Sequence, residues 1–140
     1  MTLIISLIRP SLPLWFNGIG AIEWLDQNPN YENFFTAIDE TTIEINNSLN
    51  EIKLGKLTEN HIIFDTLAFN GVSRKHAVIQ KTGNKWFITD LNSTYGTKIE
   101  NRNIMLTPMH PVELLHKDKI SLGYKISNNM YATIQIAILK

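Results

Sequence analysis

Three short segments of the chain concentrate hydroxyls, amides, cations and glycine: Leu54-Gly55-Lys56-Leu57-Thr58, Gly71-Val72-Ser73-Arg74-Lys75-His76 and Leu91-Asn92-Ser93-Thr94-Tyr95-Gly96-Thr97. Such residues suit an anion. A phosphate monoester carries close to two negative charges and three acceptor oxygens, so its site needs cations for charge and rigid donors for geometry. Lys56 and Arg74 supply charge, Ser73 and Thr94 supply hydroxyls, and the three segments form one pocket if they share an end of the fold. The chain balances 13 Lys and Arg against 13 Asp and Glu, with a net charge of zero. Any attraction for anions is therefore local. Two or three cations suit a single phosphate better than a nucleic-acid backbone, where affinity grows with the number of phosphates neutralised.

Other chemistries fare worse. The absence of cysteine removes disulfides, thiolate metal sites and cysteine nucleophiles, and fits an intracellular, reducing setting, cytoplasmic or alternatively nuclear. His61, His110 and His116 lack metal-ligand spacing with acidic partners. Gly18-Ile19-Gly20 is a fragment of a dinucleotide fingerprint without its third glycine or following helix. No metal or cofactor is expected. A hydrolase built on Ser73 and His76 needs the ring to reach the hydroxyl and a carboxylate, with Asp90 the nearby candidate, to orient it. The chain is not expected to be an enzyme. Two Asn-x-Ser/Thr sequons, at Asn46 and Asn92, read as chance matches.

The elements that must hold these loops are strands. From Thr41 onward, short β-type runs follow one another every 8–12 residues or so, each closed by Asn, Gly, Asp or Pro, as in a sandwich or barrel. They are Thr41 to Ile45, Glu51 to Leu54, His61 to Phe64, His76 to Gln80, Trp86 to Asp90, Lys98 to Ile99, Val112 to Leu115, Lys119 to Leu122 and Tyr131 to Leu139. In the last, Ile134, Ile136 and Ile138 share one face while Thr133, Gln135 and Ala137 take the other. Gly83 and Asn84 can supply the positive φ of a hairpin turn. The apolar N-terminal run starts without a basic flank and breaks at Pro10 and Pro13, so it reads as a buried strand rather than a signal sequence. No stretch has the roughly 20 apolar residues that cross a bilayer.

Arg9 to Asp39 is different, with three prolines, a Gly18–Gly20 pair and the aromatics Trp15, Phe16, Trp24, Tyr31, Phe34 and Phe35. Short helices are predicted over Ile22 to Leu25 and Tyr31 to Ile38, the second capped by Asn30. The segment either covers one end of the sandwich or offers a surface to a second partner. The whole predicts one domain over residues 1–140: an all-β, two-sheet sandwich of about ten to eleven strands with a partly helical, aromatic-rich insertion at about 9–39 between the first two strands.

Gly55-Lys56, Ser73-Arg74-Lys75-His76 and Asn92-Ser93-Thr94-Tyr95-Gly96-Thr97 closely resemble, in order and spacing, the signature of the forkhead-associated (FHA) family, whose sandwich is of the SMAD/FHA type. That signature begins Gly-Arg, continues Ser-x-x-His and ends in a Ser-Thr-Asn-Gly-Thr-like turn. Leu114-Leu115-His116-Lys117-Asp118-Lys119-Ile120-Ser121-Leu122-Gly123 resembles the family's Leu-x-x-Gly-Asp-x-Ile-x-Leu-Gly stretch, and the likeness spans about 41–139. It implies a phosphothreonine-dependent protein interaction module, an adaptor downstream of a Ser/Thr kinase, whose partner is a phosphothreonine-bearing protein or peptide and not nucleic acid or a membrane. On that likeness Lys56, Ser73, Arg74, Thr94 and Tyr95 contact the phosphopeptide. Gly55, His76, Asn92, Ser93 and Gly96 hold the loops, and Gly71 belongs to a region that reads residues after the phosphothreonine. Three positions depart from the pattern: Lys56 replaces arginine, Tyr95 replaces asparagine and Lys117 replaces glycine. Lys117 is a structural variation, whereas Lys56, Tyr95 and the insertion motivate an alternative: an FHA-fold scaffold that binds its partner without phosphate, through the insertion or another surface.

Overall fold

The computed structural model describes residues 1–9, 18–64 and 67–140. Among them twelve strands, numbered along the chain, form two sheets packed as a sandwich, one or two strands more than the sequence pattern predicts. The larger runs edge to edge as β2 (Phe35–Asp39), β3 (Thr42–Ile45), β1 (Thr2–Arg9), β12 (Ala132–Leu139), β11 (Lys119–Leu122), β8 (Thr97–Ile99) and β9 (Ile104–Met105). The smaller runs as β10 (Val112–Glu113), β7 (Lys85–Asp90), β6 (Ala77–Thr82), β4 (Glu51–Gly55) and β5 (Ile62–Ile63). Neighbours are antiparallel except β4 and β5.

Period-two burial sets the inner faces. In β1 Leu3, Ile5 and Leu7 point inward, and Ile5 sits between Ile43 of β3 and Ile136 of β12. All three are fully buried. The N-terminal apolar run is thus a central strand. Ile52, Leu54, Ile79, Trp86 and Ile88 face them from the smaller sheet, and burial of each such side chain contributes about 1.5–3 kcal/mol. Gly83 takes positive φ in the two-residue turn between Thr82 and Lys85. No helix of the described residues is long and apolar enough to cross a membrane.

Register then places the polar loops. Leu54 pairs with Ala77, and Ala77 with Asp90. The end of β4, the start of β6 and the end of β7 therefore lie side by side. Across the sandwich Thr97 pairs with Leu122, which brings the β7–β8 and β11–β12 loops to the same end.

The excursion after β1 corrects one expectation. Helix α1 covers Ala21–Gln27 and buries Ala21, Trp24 and Leu25, the i, i+3, i+4 stripe of an amphipathic helix. Tyr31 to Ile38 is not one α-helix: its start belongs to a 3-10 turn and its end to a strand. Pro29–Asn33 forms a 3-10 turn, and Phe35–Asp39 is strand β2, paired with β3 from Phe35↔Ile45 to Asp39↔Thr42. The β-branched Thr36 and Ile38 face outward while Phe35 is buried, and the Asp39 carboxylate accepts the Thr41 amide at 2.8 Å and its hydroxyl at 2.9 Å to close the turn. Strand pairing outweighs the weak helical pattern. Trp15 and Phe16, two of the aromatics singled out above, lie outside the described residues. Strand β9 also went unread in the sequence; it follows a 3-10 turn at Glu100–Arg102 and the left-handed Asn103, with φ of 52°.

One buried ion pair pins the far edge. Asp118, fully buried, accepts Arg102 through both oxygens, at 3.0 and 2.6 Å, and also the Leu115 amide and the Asn101 side chain. Lys117 beside it has φ of 74°, a left-handed conformation that costs a non-glycine residue about 1–2 kcal/mol. Lys117→Gly is expected to stabilise the fold by about 0.5–1 kcal/mol, after the entropy of the freer unfolded chain is subtracted. Asp118→Ala is expected to destabilise it by about 2–4 kcal/mol, because it leaves the Leu115 amide, the Asn101 side chain and the part-exposed Arg102 without their acceptor. Urea denaturation of both variants checks the two signs.

Candidate functional site

The shared end of the sandwich is organised by His76, which has no exposed surface. Its Nδ1 accepts the Ser73 amide at 2.9 Å, and its Nε2 lies 3.1 Å from the Gly96 carbonyl oxygen. A carbonyl only accepts, so the ring is neutral with its proton on Nε2. Burial drives this state, lowering the ring's pKa from 6.5 to about 4 against the opposing pull of the Asp90 charge and the Gly96 carbonyl. One side chain thus joins the Ser73–Lys75 loop to the Asn92–Gly96 loop.

Each loop has its own brace. Asp90, buried at the end of β7, accepts the Ser93 amide at 3.0 Å, the Ser93 hydroxyl at 2.5 Å and the Thr97 hydroxyl at 2.6 Å. Within that brace Asn92 and Gly96 adopt positive φ, 59° and 79°. On the facing side Asn60, also buried, donates through Nδ2 to the carbonyls of Leu57 (2.9 Å) and Arg74 (2.8 Å). The Lys56 and Leu57 amides reach the Ser73 and Arg74 carbonyls at 3.1 and 3.2 Å. So close an approach requires Gly55, since a Cβ there would run into the Arg74 carbonyl. Gly71 is held likewise: its amide donates to the Met130 carbonyl at 2.7 Å, and its backbone presses on Gly123, where a Cβ would strike the Gly71 carbonyl.

Between the loops lies an open cleft of about 650 Å³. Lys56, Ser73, Arg74, Thr94 and Tyr95 all line it, as do Gly71 and Asn92. Gly55, His76, Ser93 and Gly96 are not among its lining residues; they lie in the frame behind it. The Ser73 hydroxyl accepts the Thr94 amide at 3.0 Å, so its own proton is free to be donated to a ligand. Lys56 Nζ lies 3.5 Å from Asn70 Oδ1. Lys56, Arg74 and Lys75 form no ion pair with any described residue, and no carboxylate is among the described residues that line the cleft. The arrangement offers hydroxyl donors and uncompensated positive charge.

The same geometry disposes of a serine–histidine couple, because both ring nitrogens of His76 are engaged with backbone and the Ser73 hydroxyl is held by Thr94. Asp90 braces a loop instead of orienting the ring. Among the described residues no three His, Asp or Glu side chains converge as a metal would require. Sequence reasoning missed Asn60, Asn70 and Lys75. Lys75 stood in plain view beside Arg74, whereas Asn60 carries no local signal because it joins segments 14 residues apart.

Comparison with known proteins follows the fold. The FHA domain family model matches residues 52–123. An FHA domain structure solved in a study of phosphothreonine-dependent FHA interactions has 19% identity and a TM-score of 0.60, covering 100% of this chain and 99% of its own. The N-terminal FHA domain of Saccharomyces cerevisiae Rad53p, in complex with a phosphothreonine peptide, has 14% identity and a TM-score of 0.62, covering 99% of this chain and 94% of its own. The FHA domain of an Arabidopsis thaliana hypothetical protein has 20% identity and a TM-score of 0.63, covering 99% and 86%. No curated protein sequence matches the chain. At these identities the structural likeness is one of fold.

The buried neutral His76 makes the frame acid-sensitive. Its pKa is depressed in the fold, so above pH 6.5 neither state takes the proton and its contribution is complete. As pH falls from 6.5 towards 4 the unfolded chain binds a proton that the folded one refuses, and about 3 kcal/mol is lost. Below about pH 4 the loss levels off. His61, also lowered by burial and then by Lys53, adds in the same direction. Denaturation curves between pH 7 and pH 4 are expected to fall more steeply for the native protein than for His76→Gln, which starts less stable; parallel curves contradict the assignment.

Proposed function

The chain belongs to the FHA domain family, and from that premise we propose that its cleft binds a phosphothreonine-bearing segment of a partner protein modified by a Ser/Thr kinase, as a non-catalytic adaptor. The observation that carries this reading is the Ser73 hydroxyl: its acceptor side is taken by the Thr94 amide, so it donates outward, into a cleft lined by Lys56, Arg74 and Lys75. Ser73 and the Thr94 hydroxyl hydrogen-bond phosphate oxygens from opposite loops. Arg74 and Lys56 neutralise its charge. Tyr95, about one-third exposed at the rim, meets the peptide backbone through its phenol. Asn92, Ser93, Gly55, Gly96 and His76 keep the two loops at a fixed separation, and the Gly71 segment borders the path of residues beyond the phosphothreonine.

The similar Rad53p domain was solved with a phosphothreonine peptide, which supports the same ligand class here. A chain of zero net charge has no long-range field to collect nucleic acid. A ligand made by a kinase and a chain without cysteine both suit an intracellular setting, cytoplasmic or nuclear.

Titration of a phosphothreonine peptide library by fluorescence anisotropy should show saturable binding that disappears on dephosphorylation. Ser73→Ala and Arg74→Ala each remove a charge-assisted hydrogen bond and are expected to weaken it about 10-fold or more. Lys56→Arg should strengthen it about 3-fold or more by restoring the planar fork. Partner capture that ignores the phosphate and survives Ser73→Ala would overturn this reading in favour of the phosphate-independent scaffold.

A further inference from the structure

A second recess, of about 290 Å³, opens beside the phosphate cleft, between the N-terminal excursion and the β4–β5 loop, with Trp24, Gln27, Asn28, Tyr31, Thr58 and Ile63 in its lining. The rings that build it form a connected series. Trp24 meets Tyr31 edge to face with centroids 4.3 Å apart, Tyr31 meets Phe34 at 5.5 Å, and Phe34 meets His61 at 5.3 Å. His61 is fixed in turn at the foot of the β4–β5 loop, where its Nδ1 accepts the Lys53 amide at 2.9 Å. The excursion is therefore packed against the loop that carries Lys56.

Leu57 lines the phosphate cleft and Thr58, the next residue, lines the recess. Only the thickness of that loop separates them. An extended peptide advances about 3.3 Å per residue, so one anchored by its phosphate reaches the recess within a few residues. The volume lies at the bottom of the range of roughly 300–1,000 Å³ usual for small molecules and cofactors and suits a single large side chain. None of the described residues that line it is charged. The Asn28 amide is already donated to the Trp24 carbonyl at 2.9 Å, and Gln27 Nε2 lies 3.5 Å from Glu23. The surfaces left to a ligand, Ile19, Trp24, the Tyr31 ring and Ile63, suit an apolar side chain.

We propose that this recess is a second subsite for the same phosphopeptide, taking one aliphatic or aromatic side chain a few residues from the phosphothreonine. The proposal rests on the phosphothreonine reading. The test is a peptide with one phosphothreonine in an alanine background, in which a single leucine or phenylalanine is scanned over six positions on each side. One position is expected to raise affinity about 5- to 20-fold. That gain should vanish in Tyr31→Ala, which removes a wall, and in Gln27→Trp, an exposed helix position from which a large ring fills the recess without disturbing the core. The all-alanine phosphopeptide should bind the native protein and both variants alike. Absence of a favoured position, or a gain that persists in both variants, overturns the subsite and leaves phosphate recognition standing. Failure of every phosphopeptide, the all-alanine one included, overturns both.

Discussion

The end of the sandwich that carries the cleft depends on an imidazole kept neutral by burial. His76 accepts from one loop and donates to the other, and a backbone amide and a backbone carbonyl leave it no choice of tautomer. The two loops that would hold a phosphate from opposite sides are thereby locked to each other from behind, and the Thr94 amide on the Ser73 hydroxyl adds a second tie at the cleft itself. A hydroxyl held at fixed position has little freedom left to lose when it meets an anion, and preorganisation of this kind is what turns an exposed hydrogen bond into useful affinity. The histidine is therefore structural, although its position beside a serine invites a catalytic reading.

The braces behind the histidine follow one logic: buried backbone groups that the strands cannot satisfy are satisfied by a buried side chain. Asp90 serves the Ser93 amide and two hydroxyls, and Asn60 serves two carbonyls on facing segments. Asp118 does the same at the far edge with Arg102. Two glycines serve where backbones press together, Gly55 against Arg74 and Gly71 against Gly123. The loops are consequently an extension of the sheets, set by strand register, and the aromatic excursion adds lateral support through Phe34 and His61.

Much of this could be read in the amino-acid sequence, and what could not has physical causes. Period-two alternation marked β1 most clearly, because it buries one face, whereas β6, β7 and β12 alternate over part of their length and bury both faces at one end. The loop motifs were legible because hydroxyls, cations and glycine at fixed offsets have few other uses together. Strand β2 was hidden, since Tyr31 to Ile38 mixes spacings and only pairing with β3 decides between them. Asn60 and the scaffold role of Asp90 were hidden for another reason. Their hydrogen bonds close distances in space, so neither residue differs locally from an ordinary turn asparagine or strand-end aspartate.

The departures from the family pattern bear on geometry more than on charge. A lysine at position 56 brings the same single positive charge as arginine but not two parallel donors, and its ammonium already leans towards Asn70. Tyr95 offers one hydroxyl where an amide side chain offers a donor and an acceptor. Both changes lie on the cleft's surface, whereas Gly55, Asn60, His76 and Asp90, which determine its shape, are buried. A frame kept intact around altered contacts shifts the source of specificity. Under the proposed function, fewer directional bonds to the phosphate and to the peptide backbone leave more of the discrimination to surfaces beyond the phosphate, and the proposed recess one loop away is such a surface.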